Sequence, residues 1–186
     1  MQEDRIKWNR KYSYKKHSTE PSKIVQQFYT LAQKGKALDI AAGTGKNSLF
    51  LAKQGFSVDA VDISEVALNR ISDHPDIHPV CADLDNFDIP GNRYSLIVNI
   101  RFLNRRLFPY ICEGLSPGGL LIFESYLEGP GEDYCRSSCR DYLLRDNELL
   151  HAFLSLNILF YQETKEPIQK DFCHMASLVA MKTNCK

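Results

Sequence analysis

An apolar run carrying an acid near its end, a glycine turn and an apparent amphipathic helix follow one another from residue 37: Ala37-Leu38-Asp39-Ile40-Ala41-Ala42-Gly43-Thr44-Gly45-Lys46-Asn47-Ser48. A strand that passes through such a turn into a helix delivers a nucleotide-like ligand to the helix N-terminus. Asp39 narrows the choice of ligand. A pyrophosphate needs free backbone N–H groups and positive potential, so a carboxylate in that strand is a poor neighbour for a dinucleotide. A ligand with a cationic amino-acid end is favoured by it. Two competing glycine loops fail at named positions. G-x-G-x-x-G from Gly43 requires glycine where Ser48 stands, and G-x-x-x-x-G-K-[ST] ending at Gly45-Lys46 requires glycine at Ile40 and a hydroxyl at Asn47. A glycine turn that merely joins strand to helix is the bland alternative.

Patterning along the rest of the chain predicts a helix over 19–33, with Pro21 in its first turn and Ile24, Val25, Phe28, Leu31 and Ala32 on one stripe. Strands are expected over 37–41, 57–61, 77–81, 94–99, 120–125, 156–161 and 174–181. Between them come helices over 46–54, stopped by Gly55, over 64–72, capped by Ser64, over 107–115, and from Asp146 or Asn147 through 153. This is an α/β pattern: a doubly wound, mostly parallel seven-stranded sheet with helices on both faces and the last strand antiparallel. About ten residues separate Asp83 from Tyr94, near the minimum for a parallel crossover, so the third crossover helix is expected to shrink to a loop around 84–90. The irregular stretch 128–140, with Gly129-Pro130-Gly131, Cys135 and Cys139, reads as a lid or substrate loop, or equally as disorder.

The length of 186 residues suits one domain with one core. Its 23 basic and 23 acidic residues cancel, which argues against a global electrostatic grip on nucleic acid. A local basic start (Arg5, Lys7, Arg10, Lys11, Lys15, Lys16) reads as a solvated arm or helix. No uninterrupted run of about 18 apolar residues occurs, so neither a secretory signal nor a membrane span is expected, and the location is read as cytoplasmic. Cys81, Cys112, Cys135, Cys139, Cys173 and Cys185 are then free thiols, and Cys135-x-x-x-Cys139 with Cys173-His174 lacks the spacing of a zinc module, so no metal is expected.

Successive strand ends carry further acids. Asp62 falls 19 residues after Gly43, where a carboxylate accepts from two ribose hydroxyls. Asp83 follows the next strand and accepts from an adenine amine, with Ile63 and Leu84 on either side of the ring. One acid at a strand end is ordinarily a turn residue or a cap. Three in succession after a glycine turn form a pattern.

On these residues the segment 37–126 resembles the core of the class I S-adenosylmethionine-dependent methyltransferases, and Leu115-Ser116-Pro117-Gly118-Gly119-Leu120 is similar to their L-x-P-G-G turn. Gly45-Lys46-Asn47-Ser48-Leu49-Phe50-Leu51-Ala52 resembles the G-R-N-S-x-x-L-A helix start of the small tellurite-resistance-type members, whose W-x-x-x-Y pattern Trp8 and Tyr12 fit. The resemblance implies S-adenosylmethionine as cofactor, with residues 1–34 an arm and helix that cover it and residues 35–186 the methyltransferase domain. It places Asp39 near the cofactor amine, lets backbone approach at Gly43 and Gly45, adds Ala41 and Asn47 on the loop, and gives Asn99 a carbonyl or amide to offer. Ala41 stands where the family carries its first glycine, a substitution tolerable only at negative φ.

Methyl transfer from a sulfonium is an in-line displacement, so positioning and desolvation supply most of the rate and no base is obligatory. The expected acceptor is a small molecule with a soft or heteroatom nucleophile, seated beyond strands four and five near residues 99–106 and 124–126. Arg101 and Arg105 are candidates to clamp an anionic acceptor, against the alternative of surface arginines or partners for Glu124. Tyr12, Tyr14 and His17 are candidates for a lid, with His17 or a tyrosine as base. Asn99-Ile100-Arg101-Phe102 is not the Asn/Asp-Pro-Pro-aromatic motif of base methylases, so nucleic acid is disfavoured as a partner. An RNA or protein methyltransferase and a non-catalytic cofactor-binding module are the competing readings.

Overall fold

Leu38, Asp39 and Ile40 are buried on both sides of the strand they form, as a central parallel strand must be when helices cover both faces of its sheet. The computed structural model describes residues 2–14, 18–128, 140–168 and 171–183. His17, Cys135, Cys139, Cys185, the side chain of Cys173 and most of the 128–140 stretch lie outside what is described.

Strands β1 (Lys36–Ile40), β2 (Ser57–Asp62), β3 (Ile77–Cys81), β4 (Tyr94–Ile100), β5 (Leu115–Tyr126), β6 (Asn157–Ile168) and β7 (Asp171–Met181) form one sheet in the order β3-β2-β1-β4-β5-β7-β6. β1 to β5 pair in parallel, and β7 runs antiparallel to both β5 and β6. The order reverses at β1, between β2 and β4, which opens a crevice at the carboxyl ends of these strands.

Alternation along the strands divides the core between two faces. Leu38, Ile40, Ile97, Leu121 and Phe123 pack with α5 (Leu107–Gly114) and α6 (Glu148–Ala152), where Phe108, Phe123 and Phe153 meet ring to ring. Ala37, Val58, Ala60, Leu96, Val98 and Ile122 pack with α2 (Lys23–Phe28) and α3 (Lys46–Lys53). Asp39 lies on this second face, in register with Ala60 and Val98.

Several boundaries differ from expectation. The helix expected over 19–33 starts at Lys23, because Asn47 Oδ1 accepts from the Ser22 backbone N–H at 2.9 Å and holds Ser22 extended; a 3-10 turn, Tyr29–Leu31, ends it. Pro21 therefore precedes the helix. Helix α4 (Glu65–Leu68), capped by Ser64, stops after four residues and continues as turns. β5 begins at Leu115, so the Pro117-Gly118-Gly119 segment lies inside the strand as an irregularity of its pairing with β4. A Cβ on Gly119 would lie 2.8 Å from the carbonyl oxygens of Ser116 and Tyr94, which excludes any larger residue. Residues 82–93, between β3 and β4, contain no helix.

The basic N-terminal segment forms α1 (Gln2–Tyr14) and is pinned beside α4. Ser64 Oγ donates to Asn9 Oδ1 at 2.6 Å, and the Arg70 guanidinium donates to the Tyr12 carbonyl. None of the described helices is long and apolar enough to cross a membrane. Among the described residues, no group of three or more His, Cys, Asp or Glu is placed to hold a metal ion.

Candidate active site

The chain leaves β1 through three left-handed residues, Ala41 at φ 54°, Gly43 at 56° and Gly45 at 73°. Ala41 is a correction, since a negative φ was expected there. Its backbone turns so that the Ala42 N–H reaches the Val61 carbonyl at 3.0 Å and extends the β1–β2 pairing. The methyl group pays for that turn with about 1–2 kcal/mol of steric strain. Gly43 has a packing reason as well as a conformational one: an added Cβ would lie 2.8 Å from Tyr12 Oη. At Gly45 a Cβ would meet Ile71 Cδ1 at 2.5 Å.

Asp62, buried at the end of β2, stitches this turn to α4. Its Oδ2 accepts from the Gly43 N–H and its Oδ1 from the Ser64 N–H, both at 2.8 Å. Burial pushes its pKa up and the backbone donors oppose that shift. Beyond the backbone donors of Gly43, Ser64 and Ile63 the carboxylate keeps lone-pair capacity for a further donor. Burial, with the neighbouring Asp62 charge, raises the Tyr12 phenol as well, so Tyr12 is a neutral hydroxyl over the glycine turn.

Asp39 is 1% exposed and accepts from Ser48 Oγ at 2.6 Å. Burial pushes its pKa up to about 7, against the lowering effect of the Ser48 hydrogen bonds. Ser48 was missed as its partner, and the signal was there: a hydroxyl in the first turn of the helix that follows the acid's own strand.

The other expected cofactor residues divide by what already holds them. Asp83, half-buried beyond β3, accepts from the Asp85 N–H at 3.0 Å, and Ile63 beside it is half-buried. Leu84 is buried in the core with Ile40, Val61 and Leu103. Asn47 Oδ1 serves the start of α2. Asn99 Nδ2 donates to the Phe102 carbonyl at 2.7 Å and closes the turn after β4, which leaves its own carbonyl as the group to offer.

Two acceptor-side expectations need correction. Arg105 donates to both oxygens of Glu148, at 2.5 and 2.9 Å, and to the carbonyls of Asp141 and Leu143, both at 2.8 Å. With its fork so engaged it braces the approach to α6, and the pairing holds Glu148 below the usual carboxylate range. Tyr14 is 84% exposed at the end of α1; Tyr12, two residues earlier, is the tyrosine brought to the turn. Arg101 follows the end of β4: it is exposed and left-handed at φ 59°, and its backbone N–H donates to the Glu124 carbonyl at 2.6 Å. Lys46, half-buried at the start of α3, lies within electrostatic reach of Arg101, Asp39 and Glu124.

A buried acid facing the second core face, a left-handed glycine turn and a second acid with spare lone pairs fit S-adenosylmethionine, whose amino-acid end is cationic and whose ribose presents two hydroxyls. Residues 37–119 match the family model described as "Methyltransferase domain". By that match these residues are similar to a methyltransferase domain. The structure of TehB from Haemophilus influenzae superposes on 95% of the chain and 67% of its own, with a TM-score of 0.79 at 22% identity, a likeness of fold. The ubiquinone biosynthesis O-methyltransferase of Coxiella burnetii (strain RSA 493 / Nine Mile phase I) is 30% identical over 114 residues, covering 55% of this chain and 48% of its own. Hemagglutinin 1 of Eikenella corrodens is 28% identical over 165 residues, covering 82% and 54%. The chain thus spans about half the length of these curated relatives. Within the matched segment the turn 41–45 and the ends of β2 and β4 line the crevice where the sheet order reverses.

Proposed function

We propose that the protein transfers a methyl group from S-adenosylmethionine to a small molecule bearing a soft or heteroatom nucleophile. The observation that carries this reading is the left-handed turn 41–45 flanked by buried Asp39 and Asp62 at the crevice. When bound, the cofactor supplies an electrophilic methyl on a sulfonium. Asp39 would face its ammonium group, Asp62 its ribose hydroxyls, Asp83 its adenine amine, and Ile63 and Leu84 the ring; the backbone at Ala41, Gly43 and Gly45 and the Asn99 carbonyl line the rest. Residues 1–34 act in this proposal as a cover, with the Tyr12 hydroxyl over Gly43, and residues 35–186 as the catalytic body. The chain's own contribution is to hold donor and acceptor in line and keep water out, which needs no general base. A small-molecule acceptor is supported by the balanced net charge and by the name of the O-methyltransferase relative. A cytoplasmic setting belongs to the same proposal.

Calorimetric titration with S-adenosylhomocysteine, using NAD and Mg-ATP as controls, tests the ligand. Micromolar binding of the first alone is expected, and Asp62→Asn, which keeps the shape but not the charge, should weaken it about tenfold or more. Equal affinity in the variant, or binding of a control only, would sink the assignment. Methyl-transfer assays over thiols, phenols and amines then test the acceptor class.

A further inference from the structure

Helix α1 covers the glycine turn without joining the hydrophobic core. Among the described residues none from α1 belongs to either core cluster of the sheet, and between residues 3 and 14 only Trp8, Asn9 and Tyr12 are half-buried while the rest are exposed. An element with so few apolar contacts opens at a fraction of the free energy of global unfolding. Named polar attachments hold it down instead. Ser64 Oγ, at the head of α4, donates to Asn9 Oδ1; the Arg70 guanidinium, just beyond α4, donates to the Tyr12 carbonyl; and the Tyr12 hydroxyl rests on Gly43. Asp62 accepts from the N–H groups of both Gly43 and Ser64, so the turn under Tyr12 and the hydroxyl that holds Asn9 hang on one carboxylate. Other contacts are internal to the helix: Trp8 stacks on Tyr12 with ring centroids 5.8 Å apart, and Lys11 lies over the Trp8 ring at 3.9 Å. Beyond α1, residues 18–20 are exposed and outside any helix or strand, and the chain is fixed again at Ser22 by Asn47.

We infer that α1 is a detachable strap, latched to α4 by Arg70 and by the Asn9–Ser64 hydrogen bond, and that the latch sets how fast a ligand enters and leaves the turn 41–45. Arg70 is a positioning residue here: it grips the Tyr12 backbone, and the Tyr12 hydroxyl stays over Gly43 as a result. Both latch bonds join α1 to α4 rather than to the turn itself, so weakening them eases entry and exit alike. The helix lifts as a unit because its ring and cation contacts stay within it. The inference deepens the covering role proposed for residues 1–34, and it rests on the cofactor reading only where S-adenosylhomocysteine is the probe.

Trp8 is the single tryptophan of the chain, so its fluorescence reports the strap directly. The full chain is compared with Arg70→Ala, Arg70→Lys and Asn9→Ala by acrylamide quenching of Trp8, by trypsin cleavage at Arg10 and Lys11 read by mass, and by stopped-flow mixing with S-adenosylhomocysteine. Loss of a charge-assisted hydrogen bond should raise the open population, and with it quenching and cleavage, about tenfold in Arg70→Ala and about threefold in Asn9→Ala. Arg70→Lys, which keeps a cationic donor, should fall between parent and Arg70→Ala. The urea midpoint of the domain should stay at the parent value, since α1 adds nothing to the core. Association and dissociation rate constants for S-adenosylhomocysteine should rise together while Kd stays within about threefold, a split that damage to the binding site would not give. Parent-like quenching and cleavage in Arg70→Ala and Asn9→Ala overturn the inference, and so does a urea midpoint that falls with them, which would make α1 part of the folding unit. Faster cleavage with unchanged ligand rates would leave α1 a loose arm and overturn the latch. Failure of the parent to bind S-adenosylhomocysteine, while quenching and cleavage still separate the variants, would instead overturn the cofactor reading and leave the strap standing.

Discussion

At the scale of single residues, the entrance to the glycine turn combines strain with tight packing. Ala41 holds a left-handed φ of 54° that glycine would adopt freely, so the family's usual residue relieves strain here and costs only some unfolded-chain entropy. Ala41→Gly should stabilise the fold by about 0.5–1.5 kcal/mol in urea unfolding. A loss of stability would mean that the methyl group packs usefully enough to outweigh its backbone cost. Gly43 and Gly45 are less forgiving, because a Cβ at either meets the Tyr12 hydroxyl or Ile71 as well as an unfavourable φ.

At the scale of elements, side-chain clamps decide where helices start and how the arm sits. Asn47 sets the first turn of α2, the Ser64–Asn9 hydrogen bond ties α1 to α4, and Arg105 ties the segment 141–148 to the start of α5. Arg105→Ala removes a half-exposed ion pair and leaves two carbonyls without their donor; it should cost about 1–3 kcal/mol of stability. Because Arg105 is committed to Glu148, the substitution should leave S-adenosylhomocysteine affinity within about twofold of the parent. A large loss of binding with unchanged urea midpoint would return Arg105 to the ligand site. These clamps join residues 25 to 55 positions apart, and hydrophobic periodicity carries no signal for them. That is why helix boundaries and the role of Arg105 were misread while the order of elements was not.

At the scale of the whole molecule, the buried carboxyl of Asp39 couples folding to pH. Its pKa rises from 3.8 in an exposed setting to about 7 in the fold, so the folded chain keeps a proton that the unfolded chain releases. The contribution of this group to stability is complete below about pH 4 and is lost as pH rises through about 7, at up to about 1.4 kcal/mol per pH unit within that window. Urea midpoints measured across that range should show this slope in the parent and lack it in Asp39→Asn; identical slopes would place the carboxyl at its ordinary pKa. A cationic ligand group next to Asp39 favours the ionised form, so ligand binding near neutral pH should release a proton.

The α/β class, the seven strands, the missing third crossover helix, the antiparallel last strand and the positions of Asp39, Asp62 and Asp83 were all legible in the chain itself. Strand periodicity, glycine punctuation and acids at strand ends are local, and local pattern survives without coordinates. Tertiary structure alone decided that Asp39 faces Ser48, that Tyr12 rather than Tyr14 covers the turn, and that Arg105 is spent on Glu148. Each of these depends on which side chains from distant segments reach the same few ångströms. Packing settles that choice, because every donor and cation seeks the nearest unsatisfied partner in space, whatever its distance along the chain.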